Sequence, residues 1–578
     1  MRNPWVWLGS AAAAFAVIIV SLWYLLRDEQ PAPVAAADLK GKPKLVVLVV
    51  FDQMRGDYLK KWQPLFGDGG FKRLQKDGAW FTECHYPYAY TLTAPGHTSL
   101  VTGTPPSKHG IVANDWYDRA TRESVSSVTP PPEERTKGPG PYRRMSESLG
   151  DVLLRVLLGK GRVASLGIKD RAAILMAALR AQICYWFSTS SGNFVTSPYY
   201  RPDPHRWVTK FNKTRMADRW LGKEWNRFDK QLDYAKFSGP DDFSAEGTGY
   251  LQGRTFPHPF QLGKLKDEKL NKQIYYNAVT CSPMGSEMLV EFAKTAIVNE
   301  KLGQSDSVDL LFLGFSSNDL IGHAWGPDSQ EVLDVTLRSD RLVKDLLEFL
   351  DAKVGKNNYY FAVSADHGVC PLPEFARTKG KTAARIDPDL LTTRAEVFLN
   401  QKFLPAGKKA MWFEQPGRSN SWVYFNRAAL KELKLPQPDV EKALAEWFNG
   451  QAGIEHAFTR TELMGPKKKD SAELFDAVQR SFHPDGSGDV MVILKPYHLW
   501  SSPTLSKNPE KSPAYRTSHG TPHAYDTHVP LLVMGPRVQS GTRDERIAPQ
   551  ALASILAEAL GIPAPRDAIF PVPAGLFK

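Results

Sequence analysis

Residues 44–52 read KLVVLVVFD. The unbroken apolar run from Leu45 to Phe51 has no polar face, so it reads as a buried parallel strand covered on both sides. It ends on an aspartate, Asp52. The same form recurs in VDLLFLGFSSND at 308–319, in YYFAVSADHG at 359–368 and in HVPLLVMG at 528–535. Between the second and third runs, QEVLDVTLRSDRLVKDLLEFLDAKV spaces its apolar residues as an amphipathic helix does. Strands alternating with helices predict an α/β fold with a doubly wound, mostly parallel central sheet.

Outward from this core the rhythm breaks twice. From about 199 to 276 the chain is rich in aromatic, basic and Pro residues, and from about 395 to 489 helical and strand-like pieces mix. Both read as insertions, or a cap over the strand ends, within a domain spanning 44–578. Residues 27–43 are Pro/Ala-rich and read as a tether. Before them, WVWLGSAAAAFAVIIVSLWYLL at 5–26 is uncharged and would rise about 33 Å as a helix, enough to cross a bilayer. The expectation is a transmembrane anchor behind a short cytoplasmic end, residues 1–4, with the catalytic domain on the periplasmic or extracytoplasmic side. A signal peptide cleaved near PVAAAD at 33–38 is the competing reading.

The 578 residues carry 73 Lys+Arg against 62 Asp+Glu, a formal charge of +11 that could steer anionic substrates. No zinc-knuckle spacing, aromatic RNA motif or long basic run is present, so a dedicated nucleic-acid partner is not expected. Cys84, Cys184, Cys281 and Cys370 are too widely spaced for a zinc-thiolate cluster. They are either disulfide-bonded in one of three pairings or buried free thiols.

In open α/β sheets ligands bind beyond the carboxyl ends of the strands. Here those ends carry Asp52, then Asp319 and His323 at i and i+4 in SSNDLIGHAWG, then Asp366 and His367 in SADHG. His519 lies in RTSHGTPHAYDTHVP, just before the last run. YTLTAPGH, 90–97, adds Thr93 where an N-cap would stand, with Pro95 in the first turn of the helix that follows. Any one of these residues has an ordinary structural explanation. Together, oxygen and imidazole donors at strand ends beside a hydroxyl suit a two-zinc site for phosphoryl transfer.

In this order the residues resemble those of the alkaline phosphatase superfamily, in the branch shared with type I phosphodiesterases and nucleotide pyrophosphatases. The resemblance covers nearly all of the chain after the tether. It implies that Asp52, Thr93, Asp366 and His367 surround one Zn2+, that Asp319, His323 and His519 hold the other, and that Thr93 is the nucleophile. Asn114 in VAND matches the phosphate-binding Asn of that family. Lys169 and Arg171 in SLGIKDRAAIL match the Lys-x-Arg pair of PafA-type phosphate monoesterases. A monoester's two charges reward such a pair more than a diester's single one.

The expected activity is therefore that of an alkaline phosphatase acting on phosphate monoesters through a phosphothreonine. Its rivals are a phosphodiesterase or nucleotide pyrophosphatase using the same metals, and a non-catalytic envelope binding protein. His523 in HAYD stays open as an alternative to His519. The sulfatase C-x-P-x-R signature is absent, because Cys370 begins CPLPE.

Overall fold

The computed structural model describes residues 43–414, 421–466, 472–501 and 515–578. The expected anchor at 5–26 and most of the tether lie outside the described residues. Among those described, no helix is long and apolar enough to cross a membrane.

A nine-stranded sheet organises the molecule. Its strands in chain order are β1 (Leu45–Phe51), β2 (Ala79–Phe81), β3 (Val163–Gly167), β4 (Ile183–Ser188), β5 (Asn193–Val195), β6 (Asp309–Phe315), β7 (Tyr359–Ser364), β8 (Leu531–Met534) and β9 (Gly541–Arg543). They lie side by side as β9-β2-β8-β7-β1-β6-β3-β4-β5. The opening sequence run sits centrally: β1 pairs in parallel with β6 on one side and β7 on the other. Every residue of β1 is buried, as a run without a polar face requires.

The run at 528–535 departs from the expected parallel strand. β8 pairs antiparallel with both β7 and β2. An apolar run reports burial on both faces and carries no direction. The connection sets the direction: the segment holding His519 is delivered at the carboxyl end of β7, so the strand after it starts there and runs back. Two further edge pairings complete a mixed sheet, β4 antiparallel to β5 and β2 parallel to β9.

Four helices position the site: α1 (Thr93–Thr102), α2 (Asp170–Met176), α3 (Ser317–Trp325) and α4 (Gln330–Leu350). α1 packs on α2, and α3 packs on α4, the amphipathic helix expected between the second and third runs. Between Leu391 and Leu494 the chain builds a second, smaller core. There the helix Gln437–Asn449 packs on a three-stranded sheet of Trp422–Val423, Ile454–Thr459 and Val490–Leu494. The four cysteines are buried free thiols.

Candidate active site

Asp52 follows β1, and Asp366 and His367 follow β7 after Ala365, so parallel pairing of neighbouring strands brings all three to one end of the sheet. Asp319 and His323 stand one turn apart on α3, which begins two residues beyond β6. His519 comes from the loop before β8. The candidate donor atoms of Asp52, Asp366 and His367 lie within 4.8 Å of one another, and so do those of Asp319, His323 and His519. His523 stands apart, with its Nε2 donating to the Leu494 carbonyl at 2.8 Å.

The three imidazoles share one feature. Nδ1 of His323 lies 2.7 Å from the Thr517 carbonyl, that of His367 lies 2.8 Å from Gly368, and that of His519 lies 2.8 Å from Thr91. A carbonyl only accepts, so each Nδ1 carries the proton and each Nε2 is left as a lone pair. Those lone pairs face carboxylates: His367 Nε2 is 3.4 Å from both Asp52 and Asp366, and His323 Nε2 is 3.2 Å from Asp319. Among the described residues the fully buried Asp52 meets one cationic donor, Lys169 Nζ at 2.8 Å from its Oδ2, and its Oδ1 accepts no hydrogen bond. Three buried carboxylates with few donors between them, beside imidazoles held in one tautomer, fit two divalent cations with mixed O/N ligands.

Electrostatics point the same way. Burial, reinforced by Asp319 and Asp366, pushes Asp52 well above the usual carboxylate range. Burial alone would also raise Asp319, but His323 and Lys169 beside it hold it well below. Burial pushes His519 far down, helped by His367 and His323. Three carboxylates this close need positive charge near them.

In the protein itself that charge comes from Lys169, at the N-cap of α2. Its Nζ spans the two groups, 2.8 Å from Asp52 Oδ2 and 2.5 Å from Asp319 Oδ2. The sequence expectation put Lys169 on the phosphate; the structure places it between the carboxylates. Among the described residues the guanidinium of Arg171, two residues on, makes only long contacts, 3.8 Å to Asp115 and to Asp170, and stays available.

Thr93 differs from its expected place by one position. Leu92, in extended backbone, is the N-cap and Thr93 is the first residue of α1. The Thr93 hydroxyl therefore caps nothing, and its Oγ1 faces His367 Nε2 at 3.4 Å. The amide of Ala94, next along, donates to Asn114 Oδ1 at 2.8 Å. That bond identifies the oxygen and turns the Asn114 amide NH2 the other way.

Sequence reasoning missed two residues. Gln53 sits at φ 69°, a left-handed conformation uncommon for a residue with a side chain, and it ties the two groups together. Its backbone N–H donates to Asp366 Oδ1 at 3.0 Å and its side-chain amide to Asp319 Oδ1 at 2.8 Å. A Cβ at Gly322 would overlap the Gln53 side chain, which explains the glycine between the two ligands of α3. His97 is fully buried with Nδ1 3.1 Å from Asp366 Oδ2. A Cβ at Gly96 would strike the Asp366 carbonyl, so the glycine of TAPGH lets α1 approach that turn. The signal for both was adjacency: Gln53 follows Asp52, and His97 stands one turn after Thr93.

Comparisons with known proteins complete the picture. The family model described as Type I phosphodiesterase / nucleotide pyrophosphatase matches residues 46–496. The chain is 31% identical over 536 residues to the alkaline phosphatase PafA of Elizabethkingia meningoseptica, covering 91% of this chain and 93% of that protein. It is 30% identical over 555 residues to the alkaline phosphatase PhoV of Synechococcus elongatus, covering 93% of each. The crystal structure of wild-type PafA matches with a TM-score of 0.81 at 29% identity, over 93% of this chain and 99% of that one.

Proposed function

The chain belongs to the type I phosphodiesterase/nucleotide pyrophosphatase family, and on that premise we propose that it is an alkaline phosphatase hydrolysing phosphate monoesters through a phosphothreonine at Thr93. The observation that carries the reading is the meeting of Asp52, Asp366 and His367 with Asp319, His323 and His519 beside a helix-end hydroxyl. Two zinc ions held by these groups would supply the positive charge that lowers the pKa of the Thr93 hydroxyl and stabilises the departing oxygen.

The side chains then divide the work. Thr93 Oγ1 forms a bond to phosphorus as the ester P–O bond breaks and the alcohol leaves. Water later breaks the bond between Thr93 and phosphorus, releasing phosphate. The amide NH2 of Asn114, fixed by its bond to Ala94, is oriented for an equatorial phosphate oxygen. Arg171 offers a fork for two more. With cations held by the carboxylates it spans, Lys169 would be free to turn toward the phosphate.

Beside His519 lies a cavity of about 110 Å³ lined by Tyr90, Leu92, Leu494, Leu499 and Trp500 among others. Its apolar wall suits the organic group of an ester. The same wall would suit the second ester group of a diester, and the family model also favours that second reading. The zinc-loaded protein, assayed on an aryl monoester and an aryl diester with one leaving group, separates the two. A higher kcat/KM for the monoester supports the proposal, and a higher value for the diester replaces it with a phosphodiesterase.

The apolar segment 5–26 supports a membrane-anchored enzyme with its catalytic domain outside the cytoplasm. Retention in membranes after a high-salt wash tests this placement, and a soluble form beginning near Asp38 would show cleavage instead.

A further inference from the structure

The region of the second core meets the catalytic domain at a cavity of about 560 Å³. Trp116 and Arg119 reach it from the segment just after Asn114, Arg143 joins them from farther along the chain, and Arg427, Arg460 and His483 reach it from the other side. Four guanidinium groups at one cavity call for matching anions, because arginine keeps its charge at any accessible pH.

Three of the four are partly matched. The fully buried Asp489 accepts from Arg119 at 2.6 Å and from Arg427 at 2.7 Å, and Asp118 pairs with Arg143 at 3.0 Å. Asp485 also lines the cavity, 3.9 Å from His483. Arg460 has no ion-pair partner among the described residues. Its guanidinium lies 5.3 Å over the Phe482 ring, and its Nη1 is buried without a hydrogen bond. Among the described residues the Nε atoms of Arg119 and Arg427 are buried without a hydrogen bond too. Burial, with Arg427 nearby, lowers the proton affinity of Arg460, as crowded cations do. Neither Thr93 nor any of the six metal-ligand candidates lines this space.

We propose that this cavity is a second anion site, separate from the catalytic centre, that binds a small soluble molecule carrying two or more phosphate groups. Four guanidinium groups lining the cavity from two sides set that class: one phosphate satisfies one fork, whereas linked phosphates reach several. The space exceeds what a single phosphate fills.

The probe is naphthalene-1,3,6-trisulfonate, a trianion that the enzyme cannot hydrolyse, titrated calorimetrically into the full-length zinc-loaded protein at low ionic strength. One-to-one binding is expected. Arg460→Gln should weaken it roughly tenfold or more, while Arg460→Lys keeps it within about threefold. Both variants should keep aryl phosphate kcat/KM within about twofold of the parent. Asp485 is exposed, and Asp485→Asn removes a negative charge without touching the fold, so it should tighten binding; this second variant serves if Arg460→Gln fails to fold. Displacement by inorganic tripolyphosphate alone would assign a phosphate chain, and displacement by ATP as well would assign nucleotides. Absence of binding, equal affinity in the parent and both neutralising variants, or simple competition with aryl phosphate at Thr93 would each overturn the proposal.

Discussion

The two candidate metal groups are built in different ways. Asp52, Asp366 and His367 sit at the ends of adjacent parallel strands, and all three are fully buried. Once Val50 pairs with Ser364, sheet register delivers them. Asp319 and His323 share one turn of α3, but their third member arrives on a loop nearly two hundred residues later in the chain. That loop is held by backbone contacts, with the Thr517 carbonyl on His323 and the Thr91 carbonyl under His519, and Tyr515 stacks on the His323 ring at 4.1 Å. A ligand set fixed by a sheet should be stiffer than one closed by a loop. The Asp52 group thus inherits the rigidity of the core, and the Asp319 group inherits the adaptability of a loop.

The severest way to break this comparison is to remove a ligand from each side. Asp366→Ala should lower aryl phosphate kcat/KM by about three powers of ten or more and release its zinc. His519→Gln should lose less metal, since Asp319 and His323 remain on one helix; zinc content of the purified variants, measured together with turnover, checks both. Exhaustive chelation should abolish activity and added zinc should restore it. Equal metal loss on the two sides would remove the distinction between sheet-fixed and loop-closed ligands.

A second test concerns the lysine that joins the two groups. Replacing Lys169 and Arg171 together by Ala should reduce monoester kcat/KM by roughly two to four powers of ten, if each charge-assisted contact contributes about 1.5 to 3 kcal/mol. A diester should lose much less, and comparable losses on both would argue against a monoesterase role. Because Lys169 spans Asp52 and Asp319, Lys169→Ala should also lower the melting temperature of the metal-free protein more than that of the zinc-loaded protein.

The cavity beside His519, apolar along one wall, gives a graded effect. Along a series of primary alkyl phosphates, whose leaving groups differ little in basicity, kcat/KM should rise about fourfold per methylene until the cavity is full. Trp500→Ala should flatten that slope while leaving methyl phosphate nearly unchanged. A flat slope in the parent enzyme would mean that the organic group lies elsewhere.

The last effect expected is on stability near the His519 loop. Burial pushes Asp526 up to about 8, and its Oδ2 accepts from the Thr521 amide at 2.9 Å and hydroxyl at 2.6 Å. The folded state therefore keeps a proton that the unfolded chain releases near pH 4. This contribution is fully present below about pH 4 and is lost as the pH rises toward 8. Asp526→Asn keeps the accepting oxygen and cannot ionise, so denaturation at pH 5 and pH 8 should show the variant gaining on the parent at the higher pH.

The legible parts of the molecule were those where local pattern and chemistry coincide. An apolar run ending in aspartate marks a buried strand and points its last side chain at the ligand-binding end of the sheet, and this located Asp52 and Asp366. The i and i+4 spacing placed Asp319 and His323 on one helical turn. Thr93 was legible as a helix-start hydroxyl, although it proved to be the first helical residue. Gln53 was not, because its role rests on a left-handed backbone and on contacts to two distant carboxylates. The ion-pair position of Lys169 was equally invisible, since it depends on how α2 docks against two strand ends.

By itself, then, the sequence determined four of the nine strands, the helix between two of them and the inventory of donors, because strand and helix periods and strand-end residues are local properties. Only the tertiary structure decided that β8 runs antiparallel, that His519 rather than His523 stands beside Asp319, and that Lys169 spans both groups. Those outcomes depend on which segments a long connection brings together. Only in the folded chain do carbonyls, carboxylates and ring nitrogens from distant positions come close enough to select among residues that look alike in sequence.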